Sequence, residues 1–307
     1  MTKLQYDVSV QPSASRFDKE MEMVCIVCGN TQMAGLASWH ATCPACRYES
    51  AALSVAINKH TDVEIDEAER EAALKAIRLE NFHAIVQYAR RHVRPGSRSL
   101  LDVGSAHGWF LETARAHFDV LGIEPDAAVG ARAAARGLPV RAGFFPDVLE
   151  EGERFDAIVF NDVIEHIPDI RSALGACRQH LNDEGILILN LPSSRGFFYR
   201  FSKLVARLGW RMPFERLWQK DMPSPHVHYF SPANLARLVA GQGFELVDCA
   251  ELPALRARGL RERLSYAGKV SPVSLWLQYA AVMCAIPVLR VFPSDIIVCI
   301  FRKKAAG

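Results

Sequence analysis

Residues 100–112, LLDVGSAHGWFLE, constrain the fold of this 307-residue chain more than any other stretch. Leu100, Leu101 and Val103 around Asp102 predict a short strand. Gly104-Ser105-Ala106-His107-Gly108 reads as a small-residue turn, and Trp109-Phe110-Leu111 as the apolar start of a helix. A strand, a glycine turn and a helix in that order bring bare backbone up to a ligand at the positive end of the helix. Twenty residues beyond Gly104, a second short strand, Val120-Leu121-Gly122-Ile123, ends in Glu124. An acid there suits the two hydroxyls of a ribose. The two features together predict a nucleoside-binding half-fold.

A nicotinamide site would carry G-x-G-x-x-G, its third glycine allowing close helix–strand packing. Here the spacing is Gly104-x-Ala106-x-Gly108 with Asp102 just ahead and no later glycine. That form resembles the first motif of class I S-adenosylmethionine-dependent methyltransferases, with Ala106 standing where a glycine is commoner. The likeness continues downstream. Phe155–Asp169, with Glu165-His166-Ile167-Pro168-Asp169 at its end, is similar to the family's fourth strand and following turn. Leu181–Pro192 is similar to its fifth strand, and His228-Tyr229-Phe230-Ser231-Pro232 with Leu235, Leu238 and Gly243-Phe244 to the segment leading to its sixth. The resemblance covers 98–250 in the right order and points to the ubiquinone-type and polysaccharide-associated branch, in which a zinc ribbon sometimes precedes the catalytic domain.

The resemblance implies S-adenosylmethionine as cofactor. The backbone of Gly104, Ser105, Ala106 and Gly108 would approach its methionine and ribose parts, with Asp102 near the amino group and Glu124 on the ribose hydroxyls. Pro125 and Asp126 would lie beside the adenine edge. Phe144 and Phe145 either flank the adenine or belong to the core. Asn161 and Asp162 end the fourth strand, where ligands gather in open α/β sheets. Methyl transfer is an in-line displacement, so most of the catalysis is positioning and desolvation. A hydroxyl acceptor adds the need for a base. His166 leads by position, with His226 and His228 as further candidates. Each also has a plainer reading, His166 as a loop or cofactor contact and His228 as a loop anchor. His107 reads as a cofactor neighbour, and Glu165 and Asp162 as groups that position the acceptor.

Cys25-Ile-Val-Cys28 and Cys43-Pro-Ala-Cys46 are two C-x-x-C knuckles separated by fourteen residues. Each supplies two thiolates to one side of a tetrahedron, the donor set of a closed structural zinc site. Two disulfides or a redox pair are the competing readings. A reducing compartment disfavours disulfides, and neither knuckle lies between a strand and a helix as a redox motif would. Such a short module hardly folds without metal. Substrate recognition and a stability clasp are both open as its task.

The alternation of short apolar runs with helical segments predicts a parallel sheet covered on both faces. The expected fold class is α/β. It is a Rossmann-like seven-stranded sheet with helices on both faces, plus a small N-terminal zinc ribbon; the resemblance makes the last strand antiparallel. The expected organisation is a flexible tail at 1–22, the ribbon at 23–50 and a helical linker at 51–95. The methyltransferase domain would fill 96–307, with acceptor-side segments at 193–227 and 253–290. Within the linker, Leu74, Ile77, Phe82, Ile85, Val86 and Ala89 form one apolar stripe.

Half the residues are apolar, enough for a sizeable core, and the net charge of +2 gives no global drive toward nucleic acid. No charged start followed by an apolar run is present, so a cytoplasmic location is expected. Contact with the inner membrane face is a second possibility there. Phe197, Phe198, Phe201, Leu204, Val205 and Leu208 recur at helical spacing, interleaved with Arg195, Arg200, Lys203, Arg207 and Arg211. This pattern suits either a lid over the acceptor pocket or a helix lying on an anionic membrane. No charge occurs between Lys269 and Arg290, yet Pro272 and Pro287 leave about fourteen helical residues, too few to span. A buried or interfacial helix is expected there.

The function expected is methyl transfer, most naturally to oxygen, on a small molecule, glycan or lipid-linked intermediate. An RNA methyltransferase is disfavoured. The ribbon's single Lys or Arg is Arg47, where phosphate binding wants a patch, and the fourth strand ends in Asn-Asp-Val-Ile. A non-catalytic scaffold is disfavoured by the intact Asp102, Gly104, Gly108 and Glu124.

Overall fold

The structure, a computed structural model, describes residues 23–55, 67–256, 260 and 271–304. The expected 1–22 tail lies outside the described residues, as do 56–66 of the linker and most of 257–270.

Seven strands form the main sheet: β4 (Ser99–Val103), β5 (Asp119–Glu124), β6 (Val140–Ala142), β7 (Phe155–Asn161), β8 (Leu181–Pro192), β10 (Phe244–Leu252) and β11 (Ile296–Lys303). Their order is β10-β11-β8-β7-β4-β5-β6. β4 pairs in parallel with β5 and β7, and β7 with β8. The last strand, β11, is antiparallel to both its neighbours. The central strands are apolar throughout because helices cover both faces. Ala157–Phe160 and Ile186–Leu189 are fully buried. One face packs Leu101, Ile158, Leu187 and Leu235. The other packs Leu100, Val159 and Ile188 against α1 (Glu67–His92) through Phe82, Ile85, Val86 and Ala89, the described part of the expected stripe.

The cysteine module contributes β1 (Met33–Ala34), β2 (His40–Thr42) and β3 (Glu49–Ala51). These strands do not stand apart. β3 pairs antiparallel with β9 (His228–Tyr229) from the far end of the chain, giving a second sheet of order β1-β2-β3-β9.

Two expectations about helices change. The basic segment is two helices, α5 (Phe197–Arg207) and α6 (Met212–Leu217), broken at Gly209, whose φ is +99°. α5 buries Tyr199, Ser202 and Ala206 and leaves Phe201, Leu204 and Leu208 exposed, so the periodic apolar series is its outer face. The uncharged segment forms α8 (Pro272–Leu289), 18 residues long, continuing through Pro287 rather than stopping before it. α8 exposes Val273, Trp276, Leu277 and Val288, so it is not a core helix. Among the described residues no helix is long and apolar enough to cross a membrane.

Candidate active site

The strand–turn–helix unit has the backbone its composition demands. Gly104 and Gly108 adopt φ of +72° and +73°, where a side chain is strained. A Cβ on Gly104 would come within 2.6 Å of Val163 Cγ2, and one on Gly108 within 2.5 Å of Leu138 Cδ1. Ala106 also takes positive φ, +43°, at the position where the motif usually has glycine. Glu124 holds it there. Its Oε2 accepts the Ala106 N–H at 2.8 Å, and its Oε1 accepts the Asp126 N–H at 2.8 Å. Each oxygen retains a lone pair, so the buried carboxylate can still receive two hydroxyls in the manner a ribose requires. Burial raises the Glu124 pKa, and the two N–H donors oppose that rise. Asp126 itself caps α3 (Ala127–Ala135), accepting from Ala128 and Val129 N–H. Pro125 lies between these two acids.

Asp102 is buried in β4 and accepts one hydrogen bond, from Asn161 Nδ2 at 3.2 Å. Burial pushes its pKa up to about 8. An acid kept neutral for want of a nearby cation fits a ligand that brings an ammonium group. Asn161 Oδ1, Asn190 Oδ1 and Ser105 Oγ are buried with no partner among the described residues. Asn161 and Asn190 are register partners at the ends of β7 and β8. The Ser105 hydroxyl sits where a Cβ on Gly122 would be 2.7 Å away. Phe144 is exposed, whereas Phe145 packs edge-on against Phe160 at 5.8 Å and belongs to the core.

The acceptor side is built by a 3-10 turn, Ile164–His166, and by the 218–229 segment folded over it. Asp162, at φ +55°, ends β7 and meets Arg78 of α1 at 3.5 Å. Glu165 is 1 % exposed, and neither carboxylate oxygen has a hydrogen-bond partner among the described residues. Burial, with Asp162 adding to it, raises its pKa well above the usual range. His166 donates from Nδ1 to the Pro225 carbonyl at 2.9 Å, which leaves Nε2 as the lone-pair nitrogen. The His226 ring lies 4.7 Å from that of His166, with Nε2 3.0 Å from Gln219 Nε2 and 4.0 Å from Glu165 Oε1. Burial holds both histidines neutral, His226 at about 3. Glu165, His166 and His226 bring one ligand atom each within 4.8 Å, the composition of a proton relay or of a cation site.

His228 is differently placed. Nε2 faces the Ile167 carbonyl at 2.9 Å and so carries the proton, and Nδ1 accepts from the Tyr48 hydroxyl at 2.5 Å. Both nitrogens are engaged, and burial lowers the ring's pKa to about 4.

The four cysteine sulfurs converge. Cys25 and Cys46 Sγ are 3.6 Å apart, and Cys28 and Cys43 Sγ 3.5 Å. Zn–S bonds of about 2.3 Å at tetrahedral angles require sulfurs roughly 3.8 Å apart, so the quartet fits one zinc ion.

Three contributors escape motif reading: Arg78 from the linker helix, Gln219, and Tyr48 from the cysteine module. Arg78 and Tyr48 lie 84 and 180 residues in sequence from Asp162 and His228, Gln219 only seven from His226, and no motif marks any of them.

A methyltransferase domain family matches residues 67–248. The chain is 27 % identical over 171 residues to a ubiquinone biosynthesis O-methyltransferase of Azorhizobium caulinodans, covering 52 % of this chain and 64 % of that protein. It is 34 % identical over 160 residues to the protein of that name in Paramagnetospirillum magneticum, covering 50 % and 61 %. The match thus spans a little over three-fifths of these relatives' length. Among solved structures, an S-adenosylmethionine-dependent methyltransferase from Thermotoga maritima superposes with TM-score 0.53 at 17 % identity, covering 78 % of this chain and 96 % of that one. A chain from the complex of the Haloferax volcanii Trm112 methyltransferase activator with a methyltransferase gives TM-score 0.52 at 15 % identity, covering 79 % and 98 %. At such identities the likeness is one of fold.

Proposed function

Because this chain belongs to the class I S-adenosylmethionine-dependent methyltransferases, we propose that it methylates a hydroxyl oxygen of a small acceptor, with His166 taking the proton. The observation carrying this reading is the bond from His166 Nδ1 to the Pro225 carbonyl, which leaves a neutral lone-pair nitrogen just past the end of β7. His226 and His228 are buried, whereas His166 is partly accessible. The curated relatives are named for O-methylation in ubiquinone biosynthesis, which agrees with an oxygen acceptor. A glycan or a lipid-linked intermediate offers the same reactive hydroxyl.

S-adenosylmethionine, when bound, supplies a methyl group on a positively charged sulfur. The 104–108 turn and Glu124 hold the nucleoside, and Asp102 recovers its charge beside the amino group. With the cofactor bound, the acceptor hydroxyl would be methylated at its oxygen, and His166 would take the proton it loses. Asp162, braced by Arg78, orients the acceptor. Burial raises the Glu165 pKa and so disfavours a negative charge 4.0 Å from His226 Nε2, beside the ring that takes the proton. The cysteine quartet holds a structural zinc ion.

We further read α5 and α8 as a membrane-facing surface. Phe197 of α5 meets Phe292, just past α8, at 5.0 Å, which joins the exposed Phe201, Leu204 and Leu208 to Val291 and Val288. Arg195, Arg200, Arg207 and Arg211 are all exposed around it, the charge complement of anionic lipid.

The test is release of S-adenosylhomocysteine with a panel of catechols, aliphatic alcohols and amines. Hydroxyl compounds should turn over, and His166→Ala should lower kcat by about 10²–10⁴ with cofactor affinity kept. Turnover of amines alone, or an unchanged kcat in His166→Ala, would overturn the reading.

A further inference from the structure

We propose that the cysteine module is a positioning element for the acceptor wall. Its metal-held fold sets the place of the segment that carries His226 and His228 against the Glu165-His166 turn. The inference rests on the acceptor-side reading given above.

Two sets of bonds carry it. The first is backbone. Ala51 N–H of β3 donates to the Val227 carbonyl at 3.0 Å, and Val227 N–H donates to the Glu165 carbonyl at 2.9 Å. Residue 227 is thus held on one side by the module and on the other by the catalytic turn, with His226 beside it. The register partners Glu49↔Tyr229 and Ser50↔His228 extend the same attachment. The second is side chain. Tyr48 follows the second knuckle, where the Cys43 N–H donates to the Tyr48 carbonyl at 2.8 Å. Its hydroxyl donates to His228 Nδ1, and His228 Nε2 donates to the Ile167 carbonyl, so a two-bond chain runs from beside the thiolates to the residue after His166. Asn234 adds a bond from Nδ2 to the Cys46 carbonyl at 3.2 Å.

The module also fixes the neighbouring wall. The Glu49 carboxylate is buried and receives His40 Nε2 at 2.8 Å, the Tyr199 hydroxyl at 2.9 Å and Lys203 Nζ at 2.7 Å, the last two from α5. A buried acid is costly to leave unpaired, and moving the module away from α5 would break the two bonds from Tyr199 and Lys203. By contrast, the N–H bonds of Gly104, Ser105 and Ala106, and those received by Glu124, run among residues 104–126. In hydrogen bonds the donor and acceptor walls therefore have separate supports, and the metal-held module serves the second.

Amide hydrogen exchange on the full chain, before and after stripping zinc with a chelator, tests this. Removing the metal should speed exchange at Ala51 and Val227 by about tenfold or more, with less than about twofold change at Gly104, Ala106 and Asp126. Affinity for S-adenosylhomocysteine should stay within about twofold by the same logic. Protection at Val227 that survives zinc loss would overturn the proposal. So would an equal rise at the donor turn, which is the signature of a global stability clasp. Tyr48→Phe keeps the ring and the zinc; it should shift the His228 ring-nitrogen resonances, and unchanged resonances would break the Tyr48 link. These readouts stand whether or not His166 is the base.

Discussion

Glu124 Oε2 accepts the N–H of Ala106 at 2.8 Å, clipping the phosphate-free glycine turn of β4 to the end of the neighbouring strand. The same carboxylate is the group proposed above to receive the ribose hydroxyls, so one side chain would serve both the turn and the ligand. Glu124→Ala should weaken S-adenosylhomocysteine binding by about tenfold to a hundredfold, the worth of one or two charge-assisted hydrogen bonds. Calorimetry decides the point, and unchanged affinity would displace the ribose from Glu124.

Ala106 and Gly104 predict opposite responses to side-chain change. Ala106→Gly relieves a positive φ and should cost nothing or stabilise by up to about 1 kcal/mol, since strain relief exceeds the unfolded-state entropy glycine adds. Gly104→Ala combines φ of +72° with a contact at 2.6 Å to Val163 and should destabilise by about 2–4 kcal/mol. Thermal unfolding of both variants checks the pair; equal shifts would contradict the described turn.

Asp102 predicts a pH dependence. Its pKa, raised to about 8, means that the folded chain binds a proton that the unfolded chain has released. Stability without ligand should therefore fall as pH rises from about 4 to about 8. Asp102→Asn should flatten that slope and weaken cofactor binding. A variant with the parental slope would show that another group carries it.

The cysteine quartet predicts one zinc per chain by elemental analysis. Cys43→Ser should abolish it by removing one of the four converging sulfurs. Cys284, exposed on α8, is the control, and its serine variant should keep the metal.

The exposed face of α5 predicts binding to anionic vesicles at low salt that weakens as salt rises. Leu204→Glu with Leu208→Glu should reduce partitioning at least about tenfold, since each leucine loses its apolar transfer term. Retained binding, or equal binding to neutral lipid, would sink the membrane reading.

The central fold was legible because its signals are local. Gly104 and Gly108 announce a turn only glycine tolerates, the unbroken apolar run Ile186–Leu189 announces a strand covered on both faces, and two C-x-x-C knuckles announce four converging thiolates. Which side of α5 meets the core was not legible, for an equally local reason. Periodicity shows that Phe201, Leu204 and Leu208 share a side but not which side meets the core, and the core took Tyr199, Ser202 and Ala206.

What the sequence determined by itself is the donor half: the turn at 104–108, the acid at 124, their spacing and the family they belong to. What only the tertiary structure decided is the acceptor half. The 226–228 segment, Tyr48 and Arg78 come from three distant parts of the chain, and the roles of the histidines depend on which nitrogen faces which carbonyl across the fold. Local steric rules write a glycine turn into consecutive residues, whereas a histidine's proton is placed by partners that chain topology alone brings near.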